Sequence, residues 1–463
     1  MTLDEYQWPA PLGVAPFEHQ KITSEFLASN RRAFCFNEQG TGKTAAVIWA
    51  TDYLMTLGLI KRVLVVCPLS IMRSAWQQDL FKFAIHRTVS VAHHTKADVR
   101  KRLVNGSNAE FVVINFDGVE IVKKEIIEGG FDLVVIDEAS AYKNAQTTRW
   151  KCMRDIMKHI KGLWMLTGTP AAQSPVDAYG LAKLVNPQGV PLFFGQFRDT
   201  VMMKVGMYRW IPKPGADQIV YKALQPAIRF EKKQCLDLPP VTYVYRDAPM
   251  TKQQLAYYNE LKNEQLVWAA GEEVSAVNAA AQINKLVQIS CGSVYTDNGG
   301  VVDFDVSHRL AITHEVVDEA SHKVLIFVPY THTIDLLYKY LTKYGVGCEI
   351  ISGDVSVNRR TDIVTRFQNQ PTTKVLIIQP QAASHGLTLT AADTIIWYAP
   401  ITSVETYLQA NARIDRPGQV NPMTIVHIRS SPVESKLYGM LQSGVVNHTK
   451  LVDLYKEELD TVK

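Results

Sequence analysis

The chain has 463 residues, of which 47% are hydrophobic and 20% are charged. This composition is that of a folded globular protein and excludes disordered and fibrous classes. The 49 basic and 45 acidic residues leave a formal charge of +4, which is too small to indicate a polyanionic partner by itself. No apolar run reaches the roughly 18 residues of a membrane-spanning helix, so no membrane association is predicted.

The cysteines and the N-terminus indicate a reducing compartment. The six cysteines are widely scattered, with no C-x-x-C pair and no histidine at ligand spacing. We therefore predict neither a structural metal nor a disulfide framework. Asp4 and Glu5 stand where a secretory signal would carry basic residues. The sequence thus predicts an intracellular, soluble protein of several domains.

Short aliphatic and β-branched runs recur along the chain, separated by stretches with helical patterning. They cover residues 33–36, 62–68, 110–115, 131–137 and 162–167, and then 323–328, 374–378 and 394–398. Continuous apolar runs of this length are typical of parallel strands that helices cover on both faces. The predicted fold class is therefore α/β, with one parallel-sheet lobe in each half.

The segment between the two halves has a different residue pattern. Prolines punctuate its first part, whereas residues 251–289 carry the spacing of one long helix. We predict a first lobe over residues 1–175, a linker and helical insertion over 176–305, and a second lobe with a C-terminal helix over 306–463.

Basic residues are concentrated in two places. Residues 61–102 contain nine Lys/Arg against two Asp, and residues 204–233 contain seven against two acids. Local excess of this kind is the electrostatic signature of nucleic-acid binding. The alternative is a solvated basic face.

A glycine-rich turn follows the first predicted strand and opens a predicted helix. Residues 37–44 read Asn-Glu-Gln-Gly-Thr-Gly-Lys-Thr. Gly40 and Gly42 let backbone N–H groups turn toward a phosphate at the helix N-terminus. Lys43 is predicted to bind the β- and γ-phosphates of ATP, and Thr44 to hold Mg²⁺. The usual pattern has glycine where Asn37 stands, and the alternative is a chance match in an ordinary loop.

Asp137 and Glu138 stand at the end of the apolar run 131–137. An acid at the carboxyl end of a parallel strand points into the crevice where nucleotides bind. Asp137 is predicted to hold Mg²⁺ through a water molecule, and Glu138 to orient and deprotonate the attacking water. The alternative is an acidic pair that caps the following helix.

Arg413 and Arg416 are candidates for stabilising the charge that builds on the transferred phosphoryl group. They are three residues apart and share one face if the segment is helical. Because they belong to the second lobe, we expect them to act when the two lobes close over ATP. The alternative is a pair of surface arginines that bind Asp415 and its neighbours.

The order of these motifs resembles helicase superfamily two, and the flanking residues resemble the SWI/SNF-type ATP-dependent DNA translocases, in a compact form without accessory domains. The resemblance extends from Phe17 to about Leu451. The segments that carry it are 17–20, 37–44, 68–70, 137–144, 166–170, 238–240, 250–258, 288–291, 386–393, 409–419 and 433–437. The resemblance implies two RecA-like lobes, with ATP bound between them. It also implies that both lobes contact the DNA duplex along which the protein moves.

The resemblance also implies roles for single residues. Nucleotide contacts would come from Gln20, which would read adenine, and from Gln39, Gly40, Thr41, Gly42, Lys43, Thr44 and Gln409. Contacts to the DNA backbone would come from Pro68, Ser70, Asn115, Ser352, Gly353, Gly386, Thr388 and Thr390. Thr167 and Thr169 would couple the state of the bound nucleotide to the binding of DNA.

The chain departs from the family pattern at two positions. Ser140 replaces a histidine in the second motif, and Ala412 replaces an acid before Arg413. Neither change removes a group that hydrolysis requires, so we expect an active ATPase.

Aromatic residues interleave with the second basic stretch, namely Tyr208, Trp210 and Tyr221. They could stack on exposed bases or wedge a DNA junction. The alternative, which we favour, is a small core within the insertion.

The leading functional hypothesis is a DNA-dependent ATPase that moves along double-stranded or branched DNA in replication, recombination or repair. A strand-separating helicase, a nucleotide-switched DNA-binding module and an RNA-directed motor are the alternatives, although the family resemblance opposes the last. The short flanks leave no room for a targeting domain. We therefore expect a bacterial or viral protein in the cytoplasm or nucleoid, targeted by a protein partner if at all.

Overall fold

The structure, a computed structural model, describes residues 5–168, 170–171, 174–205, 210–235, 237–269, 276–295, 301–383, 387–444, 446, 450–451 and 454. The chain forms two compact units, Met1–Asp237 and Leu238–Lys463. Among the described helices, none combines the length and apolar character needed to cross a membrane. Thr169, Tyr208 and Gly386, which the sequence analysis singled out, lie outside the described residues.

The first unit is built on a parallel sheet. Its strands are β1 (Arg32–Cys35), β2 (Val63–Cys67), β3 (Val89–Val91), β4 (Phe111–Asn115), β5 (Leu133–Asp137), β6 (Gly162–Leu166), β7 (Met202–Lys204), β8 (Trp210–Pro212) and β9 (Ala227–Ile228). Seven of them pair in the order β3-β4-β2-β5-β6-β1-β9, and every neighbouring pair is parallel. β7 and β8 form a separate antiparallel hairpin. The five apolar runs predicted in this half are β1, β2, β4, β5 and β6.

Helices cover both faces of this sheet. They are α1 (Glu18–Ser29), α2 (Lys43–Thr56), α3 (Gln78–Phe83), α4 (Ala97–Asn105), α5 (Phe116–Ile121), α6 (Lys123–Glu128), α7 (Thr148–Ile156), α8 (Ala178–Val185), α9 (Phe194–Val201), α10 (Ala216–Ala223) and α11 (Lys232–Cys235). Alternate residues of β2 enter two separate apolar clusters, with Leu64 and Val66 in one and Val63 and Val65 in the other. Because side chains alternate across a strand, a strand buried on both faces must be apolar throughout.

The second unit repeats this architecture. Its strands are β10 (Val241–Asp247), β11 (Ser293–Tyr295), β12 (Val301–Asp303), β13 (Lys323–Phe327), β14 (Cys348–Ile351), β15 (Val375–Ile378), β16 (Ala392–Trp397) and β17 (Met423–Arg429). Six strands form a parallel sheet in the order β10-β17-β16-β13-β15-β14, and β11 and β12 form an antiparallel pair. The predicted α/β class with two parallel-sheet lobes is confirmed.

The helices of the second unit include the two that follow the linker strand. They are α12 (Lys252–Ala269), α13 (Ala276–Cys291), α14 (Ser307–Glu319), α15 (Thr331–Lys343), α16 (Val357–Asn369), α17 (Pro380–Ala383), α18 (Val404–Asn411) and α19 (Pro432–Gln442). The long helix predicted over residues 251–289 corresponds to α12 and α13, and residues 270–275 lie outside the described ranges.

The predicted insertion at residues 176–305 is divided between the two units. Its first part belongs to the first unit, because α8 to α10 contribute buried side chains to one core cluster and β9 extends the sheet beside β1. Its second part belongs to the second unit, where β10 pairs with β17 over seven residues. The division falls between Asp237 and Leu238.

A buried ion pair lies in the core of the second unit. Arg309 of α14 contacts Glu434 of α19 at 2.7 Å, and the two side chains are 2% and 0% exposed. The guanidinium also donates to the carbonyls of Ser290, Tyr398 and Ile428. The other carboxylate oxygen accepts from the backbone N–H groups that open α19. Both charges are therefore hydrogen-bonded on several sides, as buried charges must be.

Candidate functional site

The glycine-rich turn connects β1 to α2 in the first unit. Gly40 and Gly42 have φ of 83° and 76°, in the left-handed region that favours glycine. A β-carbon at residue 42 would collide with the side-chain amide of Gln20. The left-handed backbone at residue 42 therefore favours glycine, and any larger residue would also displace the Gln20 amide. The helix begins at Lys43, so the turn presents a helix N-terminus, as phosphate binding requires.

Lys43 folds over the turn that precedes it. Its Nζ donates to the carbonyl oxygens of Asn37, at 2.8 Å, and Glu38, at 3.2 Å. Burial lowers the pKa of the ammonium, and the carboxylates of Glu138 and Asp137 act in the opposite direction. The phosphate loop and the acidic pair therefore influence each other electrostatically.

Asn37, which stands where the usual pattern has glycine, is buried and hydrogen-bonded to two other segments of the first unit. Its Nδ2 donates to Thr23 Oγ1 at 2.8 Å, and its Oδ1 accepts from the backbone N–H of Phe230 at 3.0 Å. Glu38 adds a second backbone bond to Phe230 and accepts from the N–H of Lys232. The departure from glycine thus joins the loop to α1 and to the segment after β9.

Gln20 and His19 of α1 lie against the phosphate loop. Gln20 Nε2 is 3.4 Å from the carbonyl oxygens of both Thr41 and Gly42, and His19 Nε2 donates to the Thr41 carbonyl at 2.8 Å. Phe17 stacks on the His19 ring with centroids 5.6 Å apart. Sequence reasoning singled out Gln20 but missed His19, although it is the adjacent residue. That Gln20 reads adenine stays a prediction.

The acidic pair lies at the carboxyl end of β5. Asp137 Oδ1 accepts from the Glu138 backbone N–H at 3.0 Å, and Asp137 Oδ2 accepts from Trp76 Nε1 at 2.9 Å. Burial raises the pKa of Asp137, and Lys43 is the strongest influence that lowers it. The Trp76 contact was missed by sequence reasoning, because the residues around Trp76 carry no sign of a polar partner 61 residues further along the chain.

Glu138 occupies a strained backbone conformation. Its φ and ψ are 54° and 55°, one of three positive φ values at non-glycine residues in the described chain. Such a conformation costs about 1–3 kcal/mol and occurs preferentially at functional sites. Gln39 Nε2 lies 3.5 Å from Glu138 Oε1, so the loop also contacts this carboxylate. Glu138 begins a short 3₁₀ turn, Ala139–Tyr142, without a side-chain cap, which disfavours the capping alternative.

Thr44 and Thr167 lie close to this cluster in the fold. Thr44 stands in the first turn of α2, half-buried. Thr167 follows β6 directly, is buried, and donates its backbone N–H to the Cys35 carbonyl at the end of β1. Since β6 lies between β1 and β5, the loop, Thr167 and Asp137 meet at the same edge of the sheet.

The DNA-contact residues predicted in the first unit share that edge. Pro68 and Ser70 follow β2, and Asn115 ends β4, with Cys67 and Asn115 paired in register. Asn115 is buried, and its Oδ1 has no hydrogen-bond partner among the described residues. The structure brings the three residues together, and their contact with DNA stays a prediction.

The basic stretch 61–102 is only partly available to a ligand. Arg62 donates to the carbonyls of Val104, Ala109 and Gly129, and Arg87 pairs with Asp52 and Glu110. Arg100 bonds the carbonyl of His94. The exposed cations of this stretch are Lys61, Arg73, Lys82, Lys96 and Arg102. Charge counting along the sequence therefore overstated the surface charge, because three arginines serve the fold.

In the second unit, Ser352 and Gly353 follow β14. Arg360 of α16 donates to both of their carbonyls, at 3.0 and 3.3 Å, and Gln379 at the end of β15 accepts from the Gly353 N–H at 3.0 Å. Arg360 was missed by sequence reasoning. It fixes the predicted backbone-contact turn from a helix several residues further along the chain.

Arg413 and Arg416 lie in the turn after α18, which ends at Asn411. Arg413 is buried, and its Nη1 donates to the Leu387 carbonyl at 3.2 Å. Arg416 Nη1 donates to Thr388 Oγ1 at 2.9 Å. The two candidate catalytic arginines are thus hydrogen-bonded to the segment that is predicted to bind the DNA backbone. Burial of Arg413 disfavours the alternative of two surface arginines.

Two further predicted residues of this region are Gln409 and Thr390. Gln409 is buried on α18, with its Nε2 3.4 Å from Glu405 Oε1. The Thr390 carbonyl lies 3.4 Å from Gln419 Nε2, which also bonds the Ala392 carbonyl at 2.7 Å. Their contacts with nucleotide and DNA stay predictions.

The Trp210 side chain packs against other side chains of the first unit. It is half-buried against a core cluster of the first unit, and the Arg198 guanidinium lies over its ring at 4.1 Å. Tyr221 is 70% exposed. The structure therefore favours the core interpretation at Trp210 over a wedge.

A parallel-sheet unit that carries a phosphate loop after β1 and an Asp-Glu pair at the end of β5, together with a second parallel-sheet unit that carries two arginines after α18, defines a helicase-type ATPase. The SNF2-related domain matches residues 19–291, and the helicase conserved C-terminal domain matches residues 308–418. The chain belongs to the SNF2-related family.

Similar proteins come from animals, plants and bacteria. Mouse chromodomain-helicase-DNA-binding protein 1-like is 27% identical over 415 residues, covering 85% of this chain and 44% of the relative. An uncharacterized ATP-dependent helicase of Mycoplasma genitalium is 26% identical over 407 residues, covering 85% and 37%. The chain thus spans less than half the length of these curated relatives. The Sulfolobus solfataricus SWI2/SNF2 ATPase core in complex with dsDNA aligns over 99% of this chain and 97% of its own, at 20% identity and a TM-score of 0.47.

Proposed function

We propose that the protein is an ATP-hydrolysing motor that moves along double-stranded or branched DNA. The observation that carries the proposal is the bond between Arg416 and Thr388. It joins a candidate catalytic arginine to the segment predicted to hold the DNA backbone, so that hydrolysis and DNA binding share one contact. The exposed cations of residues 61–102 support a polyanionic partner.

The residues of the first unit suit phosphoryl transfer to water. Lys43 and the N–H groups that open α2 bind the phosphates, and Glu138 accepts a proton from the attacking water. The hydroxyl of Thr44 and the carboxylate of Asp137 fit Mg²⁺, because hard cations prefer oxygen ligands. When bound, Mg²⁺ would neutralise charge on the phosphate oxygens. Arg413 and Arg416 stabilise the charge that develops on the transferred group.

The protein acts in replication, recombination or repair, in the cytoplasm or nucleoid of a bacterium or a virus-infected cell. A protein partner that supplies targeting is consistent with this role. A strand-separating helicase on forked DNA is the second candidate, and a nucleotide-switched DNA-binding module is the third.

Steady-state ATP hydrolysis tests the proposal. The rate is measured without nucleic acid and with duplex DNA, single-stranded DNA, forked DNA and RNA, beside a Lys43→Ala control. We expect strong stimulation by duplex DNA and none in the control. Stimulation by single-stranded or forked DNA alone would indicate a helicase. Stimulation by RNA alone would indicate an RNA motor. DNA binding without stimulated hydrolysis would indicate a nucleotide-switched binding module.

Thr388→Val is expected to lower the DNA-stimulated maximal rate about tenfold, because a hydrogen bond to a charged group contributes about 1.5–3 kcal/mol and Arg416 loses one. The matched control is Thr390→Val, at a second predicted backbone contact, which keeps the Thr390 carbonyl that lies 3.4 Å from Gln419 Nε2. The control should raise the DNA concentration needed for half-maximal stimulation without lowering the maximal rate. Identical behaviour of the two variants would contradict a shared contact between the two functions.

A further inference from the structure

Trp76 connects two parts of the first unit that the sequence keeps separate. It is fully buried on a π-helical turn, Met72–Gln77, which begins two residues after Ser70 in the predicted DNA-contact loop. Its indole N–H donates to Asp137 Oδ2, 61 residues further along the chain. π-Helical turns are rare and occur frequently at functional sites.

The contact fixes the orientation of the candidate metal-binding carboxylate. Asp137 is held at both oxygens, by Trp76 at Oδ2 and by the Glu138 N–H at Oδ1. A carboxylate offers about four lone-pair positions, so two such bonds leave acceptor capacity for a further ligand while setting the plane of the group. Partners behind a metal ligand orient it, and their loss typically lowers metal affinity about 10–100-fold.

We propose that Trp76 is a positioning residue that holds Asp137 in the orientation in which it binds a divalent cation together with ATP. This inference rests on the proposed function. It adds to the site a residue that lies outside the sequence motifs of the site. The indole acts through Asp137 and does not itself contact the nucleotide. Its place next to the DNA-contact loop links that loop to the carboxylate through one hydrogen bond.

Trp76→Phe tests the proposal, since it keeps a buried aromatic ring and removes the N–H donor together with part of the ring volume, a loss that the control variant shares. Binding of Mn²⁺, measured by electron paramagnetic resonance in the presence of a non-hydrolysable ATP analogue, is expected to weaken at least tenfold. Binding of the analogue without divalent cation should stay within about twofold of wild type. A Mn²⁺ titration that coincides with that of wild type would overturn the proposal.

The matched control is Trp164→Phe. Trp164 is equally buried on β6 of the same sheet, and its Nε1 donates to the Asn30 carbonyl at 2.8 Å, away from Asp137. This variant loses a comparable indole bond and should bind Mn²⁺ as wild type does. Equal weakening in both variants would indicate a general packing effect and overturn the assignment. Wild-type protein that shows no metal-dependent binding of the analogue would instead overturn the proposed function.

Wild-type protein provides a second measurement in case Trp76→Phe does not fold. The chain contains eight tryptophans, so ¹⁵N-indole labelling gives a small set of N–H resonances. One of them is expected to shift when Mg²⁺ is added to the nucleotide-bound protein, and to lose this response in Asp137→Asn. Indole resonances that are all unresponsive to Mg²⁺ would overturn the proposal.

Discussion

Glu138→Gln is expected to reduce ATP turnover about 10²- to 10⁴-fold while leaving nucleotide binding intact, because the amide cannot accept the proton of the attacking water. Glutamine has nearly the same shape, so the strained backbone at this residue and its contact with Gln39 are preserved. The measurement is the single-turnover hydrolysis rate at saturating ATP and DNA, with binding of a fluorescent ATP analogue followed in parallel.

Glu38→Gln is the control for that prediction. Glu38 is a neighbouring acid on the phosphate loop, and its carboxylate accepts from the Lys232 N–H and lies 3.9 Å from Arg229 rather than facing the acidic pair. We expect its turnover to remain within a few-fold of wild type. A folded Glu138→Gln variant with wild-type turnover would remove Glu138 from the chemistry, and a folded, active Lys43→Ala/Glu138→Gln double variant would remove the whole site.

Glu434→Gln is expected to lower the free energy of unfolding by about 3–5 kcal/mol, because it leaves the buried guanidinium of Arg309 without its countercharge. Guanidinium remains charged at all accessible pH values, so the penalty is not relieved by deprotonation. Urea denaturation followed by circular dichroism measures the change. A loss below about 1 kcal/mol would show that the backbone carbonyls around Arg309 suffice without the carboxylate.

An exposed pair in the same unit provides the comparison. Arg246 and Glu319 lie 2.5 Å apart, with side chains 39% and 51% exposed. Glu319→Gln should cost no more than about 1 kcal/mol, since solvent screens the pair. Arg309→Met/Glu434→Leu should recover much of the loss, because removing both buried charges avoids an unpaired one.

The parts of the fold that the sequence predicted are those defined by local patterns. Strands buried on both faces appear as apolar runs, and the phosphate loop and the acidic pair each occupy adjacent residues. Several strands that were not predicted are short or interrupted by polar residues: for example, β3 has three residues, β9 has two, and β17 carries Thr424, His427 and Arg429 among its apolar positions. Their pairing depends on neighbours that are distant along the chain.

The same reason explains the residues missed at the site. Trp76 and Arg360 act through partners on other elements, at Asp137 and at the turn of Ser352 and Gly353. No local pattern marks such contacts. The division of residues 176–305 could not be predicted either, because the pairing of β9 with β1 and of β10 with β17 decides which unit each part joins.

The bonds of Asn37 and Glu38 give the phosphate loop a mechanical role. The segment from Phe230 to Lys232, close to the end of the first unit at Asp237, is hydrogen-bonded to the loop by three backbone groups. The chain thus passes into the second unit after Asp237, five residues beyond a segment that is anchored on the loop. A displacement of this segment would therefore act on Asn37 and Glu38, whose carbonyl oxygens accept hydrogen bonds from the Lys43 ammonium.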